Sequence, residues 1–185
     1  AETMGEWGRQ VALADRILIT KTDMINGALV DDLRTLIADY NPIATIDLSA
    51  DVSDGAEWMQ RETDSDAVNP RVMASGAVHG ANSYNTFAIE TDRALTWNTI
   101  DGFIEALARL RGPDLLRAKG LVKIAGRPGP IVMQVVQSLS HPPYELESWP
   151  EGSSSTKIVF ITKDLPAEPV RALFDAFVAL EGEGS

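Results

Sequence analysis

The chain has 185 residues, with 16 Lys and Arg against 27 Asp and Glu, a formal net charge of −11. That length fits one ordinary domain or two small ones, and a hydrophobic fraction of 44% supports a packed core rather than disorder. The acidic balance argues against a free-standing nucleic-acid binder, and the lack of cysteine excludes disulfides, thiolate metal sites and a thiol nucleophile. No apolar run reaches the roughly 18–20 residues needed to span a bilayer, so no membrane segment is expected.

No signal-peptide pattern opens the sequence, and a cytoplasmic location fits the missing cysteines. The chain starts at Ala1 in what reads as the middle of a helix, so a longer parent protein is expected. The last turns of that helix, Gln10 to Ala14, lead into a strand over Arg16–Thr20, where Ile17, Leu18 and Ile19 read as buried on both faces. The strand runs into Thr20-Lys21-Thr22-Asp23. A lysine and a carboxylate thus sit at the carboxyl end of an expected parallel strand, where open α/β sheets bind ligands. Such a Lys-x-Asp suits guanine. The Asp23 carboxylate can accept from two adjacent N–H groups of that base, a pair adenine lacks, while the Lys21 stem lies across the base plane. Each buried group left unsatisfied costs about 1–3 kcal/mol, so the wrong base is rejected.

Asn26-Gly27 signals a turn. Leu29, Val30, Leu33, Leu36, Ile37 and Tyr40 then recur at helical spacing, and Asn41-Pro42 ends the helix. Ile43–Leu48 reads as a second strand, followed by Ser49-Ala50. Strand, helix, strand implies a right-handed parallel crossover, the final portion of a doubly wound α/β domain. A small residue after the second strand lets a backbone N–H approach the guanine O6, which makes Ser49 and Ala50 candidates. An ordinary strand-to-loop junction explains them too.

A short helix is expected around Ala56–Gln60, then a polar, flexible linker. Beyond it, Asn85–Thr91 reads as a strand. Trp97, Ile100, Phe103, Ile104, Leu107 and Leu110 mark a helix that ends near Gly112-Pro113. Leu115-Leu116 reads as a short helical turn, Gly120–Ile124 as a strand, and Arg127-Pro-Gly129 as a hairpin turn into Ile131–Gln137. Tyr144–Trp149 and Lys157–Thr162 read as further strands. Pro166 heads a last helix that buries Val170, Leu173, Phe174, Phe177 and Leu180. The fold class is α+β: an antiparallel sheet with helices on one face, preceded by a β-α-β segment of α/β type.

The segment Ala14-Asp-Arg-Ile-Leu-Ile-Thr-Lys-Thr-Asp23 resembles the guanine-base motif of the CobW family of P-loop GTPases. Asp114-Leu-Leu-Arg-Ala-Lys-Gly120, Leu121-Val-Lys-Ile124 and Ser154-Ser-Thr-Lys-Ile-Val-Phe-Ile161 resemble that family's C-terminal domain. The resemblance covers nearly the whole chain. It implies a remnant of a GTPase domain over 1–60, a linker over 61–84 and a CobW-type C-terminal domain over 85–181. It implies GTP and magnesium in the intact parent, and zinc or cobalt as cargo, in metal delivery or cobalamin synthesis. The implied partners are the missing N-terminal GTPase half, a client metalloprotein or metal-pathway protein, and a second copy of the chain as a homo-oligomer. Thr20 stands where many GTPases carry Asn. It also implies guanine binding by Thr20, Lys21, Asp23, Ser49 and Ala50.

The departures are as informative. No Gly-x-x-x-x-Gly-Lys-[Ser/Thr] occurs, so the chain has no loop of backbone N–H groups to cradle phosphates. The family's Cys-x-Cys-Cys motif is absent too. The chain alone is therefore expected not to hydrolyse GTP, and no catalytic or metal residue is assigned. A lone His79 in the linker and His141 before Pro142-Pro143 read as loop residues, since zinc wants three or four ligands. Arg117, Lys119, Lys123 and Arg127 form either a docking patch or one alternating strand face. Trp58, Trp97 and Trp149 read as core or interface residues. The alternative to the GTPase reading is a stand-alone protein-interaction or dimerisation module without nucleotide binding.

Overall fold

In the computed structural model, residues 2–60, 79–81, 84–137, 139–150 and 153–183 are described. Most of the linker expected over 61–84 lies outside them; its described part is strand rather than linker, with His79–Ala81 paired on the strand that Tyr84 opens. The elements run α1 (Glu2–Leu13), β1 (Arg16–Ile19), α2 (Gly27–Tyr40), β2 (Thr45–Leu48), α3 (Gly55–Gln60), β3 (His79–Ala81) and β4 (Tyr84–Thr91). They continue with α4 (Trp97–Arg111), β5 (Leu115–Val122), β6 (Ile131–Val136), β7 (Leu139–Ser140), β8 (Tyr144–Glu145), β9 (Thr156–Lys163) and α5 (Ala167–Glu183). Short 3-10 turns occupy Thr22–Met24 and Ser49–Asp51.

The strands form two sheets. β1 and β2 pair in parallel, Ile17 opposite Ile46 and Ile19 opposite Leu48. The larger sheet is antiparallel in the order β3-β4-β9-β5-β6-β7, with β8 also on β6. Sequence explains the helices locally. The Asn26 carboxamide caps α2 by accepting from Leu29 N at 2.9 Å, and Thr96 caps α4 through Thr99 N. Arg109 and Arg111 lie in the last turn of α4, where the helix dipole favours cations.

One face of the large sheet carries α4 and α5. Phe103 at the centre meets Phe160 and Phe174 edge-on, at centroid distances of 6.1 and 5.3 Å, and Phe87 stacks on Phe160. Ile100, Leu107, Val170 and Leu165 complete this core. The opposite face receives α1 and α2. Val11 and Ala12 of α1 and Ile37 and Tyr40 of α2 form a second core with Tyr84, Leu116 and Ile161 of the large sheet and Ile19 of β1. The two helices thus lie between the sheets. Tyr84 is buried beside Tyr40, at a ring distance of 5.5 Å. Burial pushes its phenol up, with Tyr40 adding to the shift.

Two buried polar residues fasten this junction. Asn41 is fully buried. Its amide nitrogen donates to Val11 O at 2.7 Å and Ala14 O at 2.8 Å, and its oxygen accepts from Ile43 N and Ala44 N. Arg117 of β5 is 2% exposed, donates to Leu13 O at 2.8 Å and pairs with Asp15.

Several expectations need correction. Leu115-Leu116 is no helical turn but the start of β5, an eight-residue strand buried throughout. A register shift between Leu115 and Arg117 disguises its alternation. Arg117 and Lys119 are buried, Lys123 is half-buried with its ammonium on Asp92 O, and Arg127 is exposed and pairs with Glu145. These four cations therefore make no common docking patch. Tyr144–Trp149 is a strand only over Tyr144–Glu145. Trp97 and Leu110, at the ends of α4, are exposed rather than buried, as is Leu180 on α5.

Two stability predictions follow from these contacts. Asn41→Asp turns a donor into a carboxylate facing two carbonyls in a dry site. It is expected to lower unfolding stability by about 3 kcal/mol, read as a shifted urea midpoint with unchanged slope. Gly120→Ala places a Cβ 2.2 Å from Lys157 O and 2.6 Å from Ile158 Cα, both backbone atoms of the neighbouring strand. It is expected to cost about 2 kcal/mol or more in the same measurement, because backbone cannot step aside as a side chain can.

Candidate functional site

β1 and β2 run parallel, so their carboxyl ends open on the same edge. Ile19 pairs with Leu48, which sends Thr20 and Ser49 out side by side. The Thr22–Met24 and Ser49–Asp51 turns then come into contact. All five residues singled out from the sequence collect there. Thr20, Lys21, Asp23 and Ala50 are exposed, and Ser49 is half-buried.

Lys21 has φ 58° and ψ 32°, the left-handed region that a non-glycine residue enters at a cost of about 1–3 kcal/mol. Its carbonyl accepts from Met24 N at 3.1 Å, so the strained residue starts the tight turn that presents Asp23. Ser49 O accepts from Val52 N at 3.4 Å and closes the second turn. The arrangement joins an exposed carboxylate, a lysine stem and a turn of small residues, Ser49 half-buried and Ala50 exposed. These groups can receive the edge of a planar base.

Sequence reasoning missed the residues beneath this edge. Asp47 of β2 accepts from Arg16 Nη2 of β1 and from Trp58 Nε1 of α3, both at 2.7 Å on Oδ2. Arg16 Nη1 donates to Trp58 O at 2.9 Å, and its guanidinium lies over the Trp58 ring, 4.6 Å from the centroid. The Asp54 carboxylate accepts from Ala56 N at 2.8 Å at the start of α3. A charged residue within the expected hydrophobic strand Ile43–Leu48 was the available signal. Its partners could be found only once strand register was known.

His141 is exposed in the loop between β7 and β8, whereas His79 lies in β3 and not in a loop, opposite Thr86 of β4. Among the described residues, no group of three or more His, Cys, Asp or Glu is placed to hold a metal ion.

A family model, the cobalamin synthesis protein cobW C-terminal domain, matches residues 84–178. The zinc chaperone YjiA of Escherichia coli (strain K12) is 28% identical over 171 residues, 89% of this chain and 52% of that protein. The structure of Zn(II)-bound YjiA GTPase from E. coli is similar at a TM-score of 0.68 and 25% identity, over 95% of this chain and 57% of that one. A Zn(II)-bound triple mutant of YjiA GTPase gives a TM-score of 0.66 at 24% identity, over 92% of this chain and 54% of that one, and bears on the fold alone. The chain spans about half the length of the curated relative it matches. With residues 84–178 matching the domain that defines it, the chain belongs to the CobW family.

Proposed function

We propose that this chain carries the guanine-reading edge of a GTP-dependent metal-delivery protein, together with the domain through which that protein docks. The observation that carries the reading is the meeting of the Thr22–Met24 and Ser49–Asp51 turns at the carboxyl ends of two parallel strands. Asp23 accepts from the N1–H and the exocyclic amine of guanine. The Lys21 stem covers one base face, the Ser49-Ala50 backbone donates to O6, and the Thr20 hydroxyl ties the two turns. Similarity to a zinc chaperone supports metal delivery as the parent's role.

The residues present fit the base and not the rest of the nucleotide. No phosphate-cradling glycine motif occurs in the sequence. When bound in the parent, GTP and magnesium would supply the phosphoryl chemistry, and this chain's part is to orient the base. Zinc or cobalt would be cargo. The proposed organisation keeps the expected GTPase remnant over 1–60 and docking domain over 85–181, with the linker expected over 61–84 giving way to sheet strands from His79. Its proposed partners are an N-terminal GTPase half, a client metalloprotein and a second copy of the chain. No helix among the described residues is long and apolar enough to cross a membrane, and a cytoplasmic location belongs to the same proposal.

Guanosine titrated into the isotope-labelled chain is expected to shift the amides of Lys21, Asp23, Ser49 and Ala50, while adenosine leaves them in place. Asp23→Asn replaces an acceptor with a donor. It should weaken guanosine about tenfold or more and improve xanthosine, whose C2 carbonyl accepts where guanine donates. Equal responses to guanosine and adenosine would sink the base-reading proposal. The purified chain is also expected to release no phosphate from GTP above the buffer rate, because positioning and charge neutralisation at the phosphates are not supplied. Sustained release by a phosphate-detection assay would refute that.

A further inference from the structure

The turn that offers Ser49 and Ala50 is the closing half of the candidate site, and it sits on a stretch with little secondary structure of its own. Between the end of β2 at Leu48 and the start of α3 at Gly55 the chain makes one 3-10 turn. A loop of this kind would ordinarily exchange among several conformers. Here both of its ends are held by one set of side chains. Trp58 lies eleven residues beyond Asp47, and its indole N–H returns to the Asp47 carboxylate at 2.7 Å, which closes the stretch into a ring. Arg16 bridges the closure, with one arm on Asp47 Oδ2 and the other on Trp58 O. Its guanidinium face lies on the indole.

This arrangement differs from an ordinary surface ion pair. The Arg16 and Asp47 side chains are only 14% and 29% exposed, and the carboxylate accepts two charge-assisted or indole bonds on one oxygen. The arginine also meets the aromatic ring face-on. The three residues come from three elements, and Arg16 opens the strand whose far end is the Thr20–Asp23 segment. The closure therefore ties the loop behind Ser49-Ala50 to the strand that presents Lys21 and Asp23.

We propose that Arg16, Asp47 and Trp58 are positioning residues. They form a clasp that holds the Ser49–Asp51 turn against the Thr22–Met24 turn and keeps the two halves of the base-reading edge assembled before ligand arrives. This role rests on the guanine reading proposed above. None of the three touches the base. Their contribution is preorganisation, which improves affinity by removing the ordering that binding would otherwise require.

The test uses the full 185-residue chain. Trp58→Phe keeps the ring over Arg16 but removes the indole donor, and Asp47→Asn keeps the shape but removes the charge. Native-state amide exchange is measured with no ligand. Both variants are expected to raise exchange at Ser49–Asp51 about fivefold, with the amides of β5 and β9 unchanged, and to weaken guanosine by a similar factor. A third variant, Asp23→Asn, should weaken guanosine without changing exchange at Ser49–Asp51. If exchange at Ser49–Asp51 is unchanged in both clasp variants, the clasp proposal is overturned whatever guanosine does. If exchange rises but the wild-type chain shows no preference for guanosine over adenosine, the base-reading proposal fails and takes the positioning role with it. If exchange rises across the whole of β5 and β9, the substitutions act through global stability and the positioning role is likewise overturned.

Discussion

A parallel pair of strands has two faces that must both be covered, and β1 and β2 alone are too narrow to do without support. The chain covers one of those faces with α1 and α2, which pack on the small sheet through Ile19, Ile37 and Tyr40 and on the large sheet through Tyr84, Leu116 and Ile161, while Ile17, Leu18, Ile46 and Leu48 stay half-buried. One hydrophobic cluster serves both sheets. Asn41 makes the arrangement specific. A single carboxamide holds the end of α1 through Val11 O and Ala14 O while receiving the backbone of the turn into β2 at Ile43 N and Ala44 N. β1 follows α1 directly and β2 follows that turn, so Asn41 sets where the two strands begin. With their starts set and their register fixed, their carboxyl ends must emerge side by side.

Arg117 adds a polar constraint from the other direction. It reaches from β5 to Leu13 O and Asp15, the residues that end α1 and lead into β1. A buried ion pair is weak evidence for stability, because desolvation offsets much of the Coulomb gain. Here the guanidinium is not even saturated: its Nε is buried without a hydrogen-bond partner among the described residues. The side chain is better explained by geometry than by energy. An arginine is long and planar, and it satisfies a carbonyl and a carboxylate together at one place only, which fixes α1 against the sheet. Lys157 shows the simpler use of a buried cation, paired with Glu90 directly across the strands at 2.7 Å.

Much of this was legible in sequence where one period dominates. The aliphatic run Ile17–Ile19, the helical spacing of Ile100, Phe103, Ile104 and Leu107, and the terminal helix with Val170 and Phe174 all lie in elements of the expected type, although Ile17 and Leu18 are half-buried rather than buried on both faces. What could not be read were places where two rules compete. Leu115-Leu116-Arg117-Ala118-Lys119-Gly120 mixes adjacent leucines with charges, and a strand interior is not expected to hold Arg and Lys. It is a buried strand because it lies between β9 and β6, with a register shift at its start and a distant partner for Arg117 at Asp15. This stretch lies within the part that matches the family, and its residues have structural reasons to be what they are. Gly120 admits the neighbouring backbone and Arg117 grips α1. The site was legible in half. Lys21 and Asp23 announce themselves by position after a strand, whereas the Arg16, Asp47 and Trp58 clasp depends on contacts 11 to 42 residues apart.

These contacts converge on β1. The strand is four residues long, roughly 13 Å of extended chain, too short to bend appreciably between its ends. Just before it, Asp15 is held by Arg117 of the large sheet. Its first residue, Arg16, grips Asp47 and Trp58. Beyond its last residue, Lys21 is in a left-handed conformation that puts Asp23 on the exposed edge. The left-handed Lys21 is held locally by the turn it opens, its carbonyl accepting from Met24 N. The large sheet and the Thr22–Met24 and Ser49–Asp51 turns thus share one short strand anchored at its amino end. The domain that matches the family therefore reaches the exposed edge through Arg117 at the start of that strand.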